Sequence, residues 1–177
     1  KILYMPNSFM CFDDTKQISN KFFTRKEFNL PDDAFVMAAF HKNSKITIKE
    51  IKSWSRILNN ISNSILWISS TNEIAKENII KAFKIRGVKI DKILFAPRMS
   101  SYGEHLSRHS CADLYLDTFS WNANSTAIDS LWLGLPIVTL LGKSSTARTS
   151  ASLLTTLGLT ELIAHKPQEY EDIIISL

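Results

Sequence analysis

Ser125 and Thr126 stand at the start of a helical pattern that follows an apolar run, Leu114-Tyr-Leu116, and a polar loop. The first turn of a helix leaves backbone N–H groups without partners. The helix dipole adds partial positive charge there, so a phosphate or diphosphate is a natural guest. The two hydroxyls supply further donors. Thr126 and Asp129 have capping-box spacing, and Ile128, Leu131 and Trp132 share one apolar face, which marks a helix start. The same pattern also describes an ordinary capped helix behind a buried strand.

The other residues able to do chemistry stand in comparable positions, just after apolar runs. His41, Lys42 and Lys45 follow Phe40; Arg98 and Met99 follow Ala96, with His105 and Arg108 further on; Gly142-Lys-Ser-Ser145 follows Leu141. The elements that must position them repeat a simple unit. Strands are expected at Phe35–Phe40, Ile65–Ile68, Ile93–Ala96, Leu114–Leu116 and Ile137–Leu141, with a weaker sixth at Leu162–Ala164. Helical periods separate them. Thr47-Ile-Lys-Glu50 opens a helix with Ile51, Trp54, Leu58 and Ile61 on one face, and residues Asn72–Arg86 turn Ile79, Ile80 and Phe83 inward before Gly87. Further helices are expected over Ser101–His109, after Asn124, from near Thr146 and from Pro167.

Apolar strands alternating with amphipathic helices call for right-handed crossovers and a parallel sheet covered on both faces, a doubly wound Rossmann-like α/β domain. Ligands in such sheets sit beyond the C-terminal strand ends, where these loops would meet. The chain lacks GxGxxG and Walker lysine motifs, which disfavours a classical dinucleotide enzyme or a P-loop NTPase.

At 177 residues the chain suits one domain, with 45% hydrophobic and 21% charged residues. Residues 1–33, rich in turn chemistry, read as an incoming arm or linker in which Thr24-Arg-Lys-Glu27 starts a short helical turn; residues 34–177 form the Rossmann-like domain. An opening of this kind suggests a truncated chain. No apolar run reaches the roughly 20 residues of a membrane span and the N-terminus lacks signal-peptide character, so a cytoplasmic setting and no membrane partner are expected. Cys11 and Cys111 lack metal-ligand spacing and read as free thiols, Cys111 packed beside a strand. Net charge is +4 with basic residues scattered, which suits an anionic small molecule better than nucleic acid.

Several stretches in order resemble the O-GlcNAc transferase family of glycosyltransferases, in particular its C-terminal, donor-binding lobe in a GT-B fold. They are Leu3-Tyr-Met-Pro6, Leu30-Pro-Asp-Asp-Ala34, Phe40 with Lys45-Ile46, Phe95-Ala-Pro97, Glu104-His105 with Arg108, Ala112-Asp113 and Leu116-Asp-Thr118. The similarity continues through Asn122-Ala-Asn-Ser-Thr126, Asp129 with Leu131-Trp132, Gly134-Leu-Pro136, Leu157-Gly158, Glu161-Leu-Ile-Ala164 and Gln168-Glu-Tyr-Glu-Asp172.

The resemblance implies binding of a UDP-sugar, usually UDP-N-acetylglucosamine, and transfer to Ser or Thr hydroxyls of proteins without a metal or other cofactor. The protein or peptide acceptor would be presented by an N-terminal lobe that the matched stretches leave out. It also implies that Lys45 holds the diphosphate as the catalytic cation, with Asn124, Ser125 and Thr126 at the phosphates. His105 and Arg108 would take the uracil end and Asp129 the ribose, with Lys42, Arg98 and Met99 on the same loops.

This chain departs from the family at three places: Asn124-Ser125-Thr126 stands where His-Thr-Thr is usual, Lys42 where Gln is frequent, and Tyr102 near a frequent Lys. Asn124 can donate a hydrogen bond but never becomes cationic. Lys42 is a candidate to compensate for that charge or to mark a different donor sugar. The departures keep a second function open, a UDP-binding module without transfer activity. Local alternatives stay open as well, among them an Arg108–Glu104 helix pair and a purely capping Asp129. Trp54, Trp67 and Trp132 are expected in the core, and Trp121 beside the phosphate loop, where it would flank the sugar.

Overall fold

Each of the expected apolar runs forms a strand in a computed structural model of the chain, which describes Ser8, residues 12–69 and residues 72–177. The strands are β1 (Phe35–Ala39), β2 (Ser64–Ser69), β3 (Ile93–Ala96), β4 (Leu114–Leu116), β5 (Ile137–Leu140) and β6 (Ile163–Ala164). They make one six-stranded sheet in the order β3-β2-β1-β4-β5-β6. Every pair is parallel, and Met37 of β1 registers with Leu66 of β2 on one side and Leu114 of β4 on the other. Buried on both faces, these strands read as apolar runs rather than as alternating patterns. β1 and β5 each stop one residue short of the apolar run, leaving Phe40 and Leu141 to the loops that follow.

The helices are α1 (Ile48–Asn60), α2 (Glu73–Lys84), α3 (Tyr102–Ser107), α4 (Ser125–Trp132), α5 (Thr149–Leu157) and α6 (Pro167–Ser176). Thr47 and Glu50 form the expected reciprocal box at α1, which turns Ile51, Trp54, Ile57 and Leu58 into the core. Asn72 caps α2, and Gly87, at φ +76°, supplies the left-handed residue that turns the chain beyond it. α6 lies against α1: Trp54 Nε1 donates to Tyr170 Oη at 3.3 Å, and Glu171 receives Ser53 at 2.6 Å and Arg56 at 3.1 Å. A buried aromatic such as Trp54 contributes about 3–5 kcal/mol against truncation to Ala.

α5 begins at Thr149, later than Thr146, because Ser145–Ala147 first forms a 3-10 turn. That turn is used as a tether, the Thr146 carbonyl accepting from Asn122 N at 2.8 Å. The arm carries a 3-10 turn over Arg25–Phe28 with the Thr24–Glu27 box in place. Arg25 fastens it to the sheet through Asp113 at 2.7 Å and the Ala34 carbonyl at 2.8 Å. Cys111 is buried just ahead of β4, with its thiol free, as expected; Cys11 and the Leu3–Pro6 stretch lie outside the described residues. Among the described residues no helix is long and apolar enough to cross a membrane.

Candidate functional site

The chain leaves β1 toward β2 and leaves β4 toward β5, so the loops after these two adjacent strands diverge and open a crevice at the C-terminal edge of the sheet. After β1 come Phe40, the buried His41, the exposed Lys42 and a 3-10 turn over Asn43–Lys45. His41 Nε2 donates to the Leu116 carbonyl at 2.7 Å, and burial holds its pKa down to about 4, so the ring is neutral near pH 7. Lys45 Nζ donates to the Asn122 carbonyl at 3.1 Å and lies 5.9 Å from the Trp121 ring centroid. Burial lowers the Lys45 pKa, Asp117 opposes that shift, and Lys42 adds to it.

The loop after β4 closes on the carboxylate of Asp117. Its Oδ1 accepts from Thr118 N at 2.8 Å and Ala123 N at 2.6 Å, and its Oδ2 accepts from Thr139 Oγ1 at 2.6 Å. Burial raises this carboxyl to about pKa 6 against those hydrogen bonds. Asp117 is enclosed and committed to shaping the loop. Glu50 adds an outer clamp, since beside capping α1 it accepts Phe119 N on Oε1 at 2.9 Å.

The loop delivers Asn124 as the residue before α4, and here the helix start differs from expectation. Asn124 makes no side-chain cap, and its Oδ1 is buried without a hydrogen-bond partner. Thr126 lies inside the first turn, and Asp129 turns away from it to receive Tyr102 Oη at 2.6 Å and Lys16 Nζ at 3.1 Å. The Thr126–Asp129 capping box therefore does not form: a carboxylate shared by a phenol and an ammonium gains more than from one backbone N–H. The Asn124 carbonyl takes the N–H groups of Ala127 and Ile128, and among the described residues those of Ser125 and Thr126 meet no acceptor. Asn124 and Trp121 also line a cavity of about 270 Å³ with Ser145, Thr146 and Thr149.

Arg108 and His105 sit between β3's loop and the sheet. Arg108 lays its guanidinium 4.1 Å from the Phe40 ring centroid and donates to the Pro97 carbonyl at 2.6 Å, while its buried Nε has no partner. Burial lowers its pKa to about 10, which still leaves it charged at neutral pH. Its pairing with Glu104 does not occur; Glu104 faces Lys21 at 3.6 Å instead. His105, 5.9 Å from Phe40 between ring centroids, is held to a pKa of about 4 by burial and by Arg108 and is neutral. His109 is buried, its Nδ1 donating to the His105 carbonyl at 2.9 Å. Arg98 is exposed and Met99 half-buried on the same loop, and among the described residues neither is tied to this group by a hydrogen bond.

Lys45, Asn124, Ser125 and Thr126 are thus gathered by the loop after β4, whereas His105, Arg108 and Asp129 form a second group around α3 and α4. Trp54 and Trp67 are fully buried and Trp121 is exposed, in line with the sequence, but Trp132 is 47% exposed. Its face of α4 is covered only in part, by Phe12 of the arm at 4.9 Å between ring centroids. Neither the Lys16–Asp129 contact nor the bond from Phe119 N to Glu50 is signalled by the sequence. A lone lysine in a turn-rich arm carries no signal, and a capping glutamate already has a complete local explanation.

A doubly wound parallel sheet whose switch point is lined by a lysine, a histidine–arginine pair and an open helix start is a Rossmann-like lobe of the glycosyltransferase GT-B type. The chain belongs to glycosyl transferase family 41, whose sequence profile matches residues 7–177. It is 36% identical over 154 residues to a UDP-N-acetylglucosamine--peptide N-acetylglucosaminyltransferase of Caenorhabditis elegans, covering 87% of this chain and 13% of that protein. A probable enzyme of the same description, SPINDLY of Solanum lycopersicum, is 26% identical over 189 residues, covering 100% and 19%. Among solved structures, an O-GlcNAc transferase of Thermobaculum terrenum superposes with a TM-score of 0.77 at 26% identity, over 82% of this chain and 30% of that one. The chain therefore spans less than a fifth of these two curated relatives.

Proposed function

We propose that this chain is the donor-binding lobe of a protein O-glycosyltransferase. It binds a UDP-sugar, UDP-N-acetylglucosamine foremost, for transfer to Ser or Thr hydroxyls of a protein or peptide acceptor held across the cleft by an N-terminal lobe. The observation that carries this reading is the Lys45 ammonium 3.1 Å from the Asn122 carbonyl, in the loop that leads into the uncapped start of α4. In this reading Lys45, Asn124, Ser125 and Thr126 meet the diphosphate, with Lys42 at its edge. His105 and Arg108 meet the uracil, Asp129 the ribose, and Arg98 and Met99 wall the base. Residues 1–33 serve as an arm to the lobe of residues 34–177, and the protein works in the cytoplasm.

The chemistry asks little more of this lobe than charge. As the bond between the sugar's anomeric carbon and the diphosphate breaks, negative charge grows on the leaving phosphate oxygen while the acceptor hydroxyl oxygen bonds to that carbon. A desolvated lysine and helix-end N–H groups stabilise that charge without a metal. The protected Asp117 and the neutral, inward-held His105 leave the acceptor's proton to groups across the cleft. Positioning an acceptor against its donor contributes roughly 7–11 kcal/mol to such a reaction, so this chain alone should bind donor product and transfer nothing.

Asn124 favours a second reading, a UDP-binding module without transfer activity, because a position usual for His here holds a side chain that cannot carry charge. Calorimetry of the chain against UDP, UDP-N-acetylglucosamine, UDP-glucose and GDP-sugars, with and without EDTA, tests the common core. UDP binding indifferent to EDTA is expected, and binding that needs magnesium would overturn the mechanism. Incubation with UDP-N-acetylglucosamine and a Ser-rich peptide tests the half-site. Glycopeptide formed by this chain alone would overturn it, and activity that fails to return when the upstream region is joined would favour the module.

A further inference from the structure

Lys16 is a strongly engaged cation beside Asp129 that the proposed function leaves without a task. Its segment is fastened at both ends. Phe12 packs on Trp132 of α4, and on the other side Ser19 N donates to the Gly103 carbonyl at 3.3 Å while Ser107 Oγ donates to the Ser19 carbonyl at 3.0 Å. The approach to α3 is close: a Cβ added at Gly103 would lie 3.1 Å from Ser19 N and 3.2 Å from the Gln17 carbonyl oxygen. A side chain at this position would press the arm outward by a few tenths of an ångström. Between the two anchors Lys16 Nζ donates to Asp129 Oδ1 at 3.1 Å and to Tyr102 Oη at 2.9 Å, and it lies 4.7 Å from the Phe12 ring centroid.

An ammonium has three N–H donors, and two are used here. Tyr102 also spends its own proton on Asp129 Oδ1, at 2.6 Å, and among the described residues no hydrogen bond reaches Oδ2. The pair therefore presents one open acceptor and one open donor side by side. A vicinal diol is the complementary group, since each hydroxyl both donates and accepts. We propose that Lys16, carried in by the arm, is a nucleotide-binding residue that with Asp129 grips the 2′,3′-diol of the ribose. This rests on the UDP-sugar reading above, and it assigns to residues 12–19 a direct part in completing the site. Tyr102 is the positioning residue, its hydroxyl holding both charged groups in register.

The test is calorimetry of the chain and its Lys16→Met variant with UDP and with 2′,3′-dideoxyuridine 5′-diphosphate. Lys16→Met should weaken UDP about tenfold, as for a charge-assisted hydrogen bond, and change the dideoxy ligand less than about twofold. Lys16→Arg should recover most of the loss. Equal losses for both ligands would reduce Lys16 to general electrostatics or to holding the arm, and tighter UDP binding by the variant would make the arm a competitor of the nucleotide; either overturns the proposal. UDP binding by the chain with no effect of Lys16→Met overturns it while sparing the proposed function, whereas no UDP binding by the chain at all overturns both. Melting temperatures of the variants separate loss of fold from loss of contact, and Lys16→Gln replaces Lys16→Met if the latter does not fold.

Discussion

At the scale of single residues, Lys45 illustrates how surroundings rather than type assign a role. Most lysines are solvated, yet this one is partly enclosed, bonded to a loop carbonyl, and faced by the opposite charge of the buried Asp117. Lys45→Ala should weaken UDP by about 1.5–3 kcal/mol and leave uridine nearly unaffected, because the nucleoside offers no phosphate to the ammonium. Calorimetry with the two ligands checks this, and equal losses would move Lys45 away from the phosphates. Arg108 makes the parallel case for geometry: its guanidinium lies over the Phe40 ring while it bonds the Pro97 carbonyl, and its planar fork leaves further N–H donors for a ligand.

At the scale of elements, the helix starts divide into closed and open ones. α1, α2 and α3 are capped by Thr47, Asn72 and Ser101, while α4, α5 and α6 have no side-chain cap, and of these α4 alone follows the loop that holds Lys45. Glu50 joins the two kinds, closing α1 with one carboxylate oxygen and holding Phe119 in the loop before α4 with the other. Losing a cap costs about 1 kcal/mol, and a buried N–H left without its acceptor about 1–3 kcal/mol more. Thr47→Ala should therefore cost about 1 kcal/mol in urea denaturation and Glu50→Ala about 2–4 kcal/mol, with UDP affinity reduced only in the second. Equal costs would mean that the bond to Phe119 contributes nothing. The capping box was legible from spacing, but this second use joins residues far apart in the chain.

At the scale of the whole molecule, the buried His41 and the half-buried His105 make stability pH-dependent. The pKa of His41 is depressed from 6.5 to about 4 by burial, and that of His105 likewise to about 4. The unfolded chain takes up protons below about pH 6.5 while the folded chain resists until about pH 4, so their contribution is complete above 6.5 and lost as pH falls through 4. Asp117, raised to about 6 by burial, works in the opposite sense and cancels roughly one histidine across that window. Urea midpoints should therefore fall from pH 7 to 4.5, with a slope of up to about 1.4 kcal/mol per unit for each uncancelled histidine. His41→Gln should show a shallower fall, and a wild-type midpoint that rises on acidification would contradict this account.

The strands, the helices and their parallel arrangement were all determined by the sequence, because doubly buried strands read as apolar runs and helices carry their own period and caps. The family was legible too, since its motifs lie in the loops at the strand ends. Only the tertiary structure decided the fates of Asp129, Trp132 and Lys16. Asp129 has the spacing of a cap, yet it binds Tyr102 and Lys16, brought to it by α3 and by an arm 113 residues away in sequence. Trp132 lies on an apolar face whose cover depends on where the arm runs. Local rules see a helix and its neighbours along the chain. Which distant charge or ring arrives beside them is settled when the sheet and arm pack, and no spacing in the sequence encodes it.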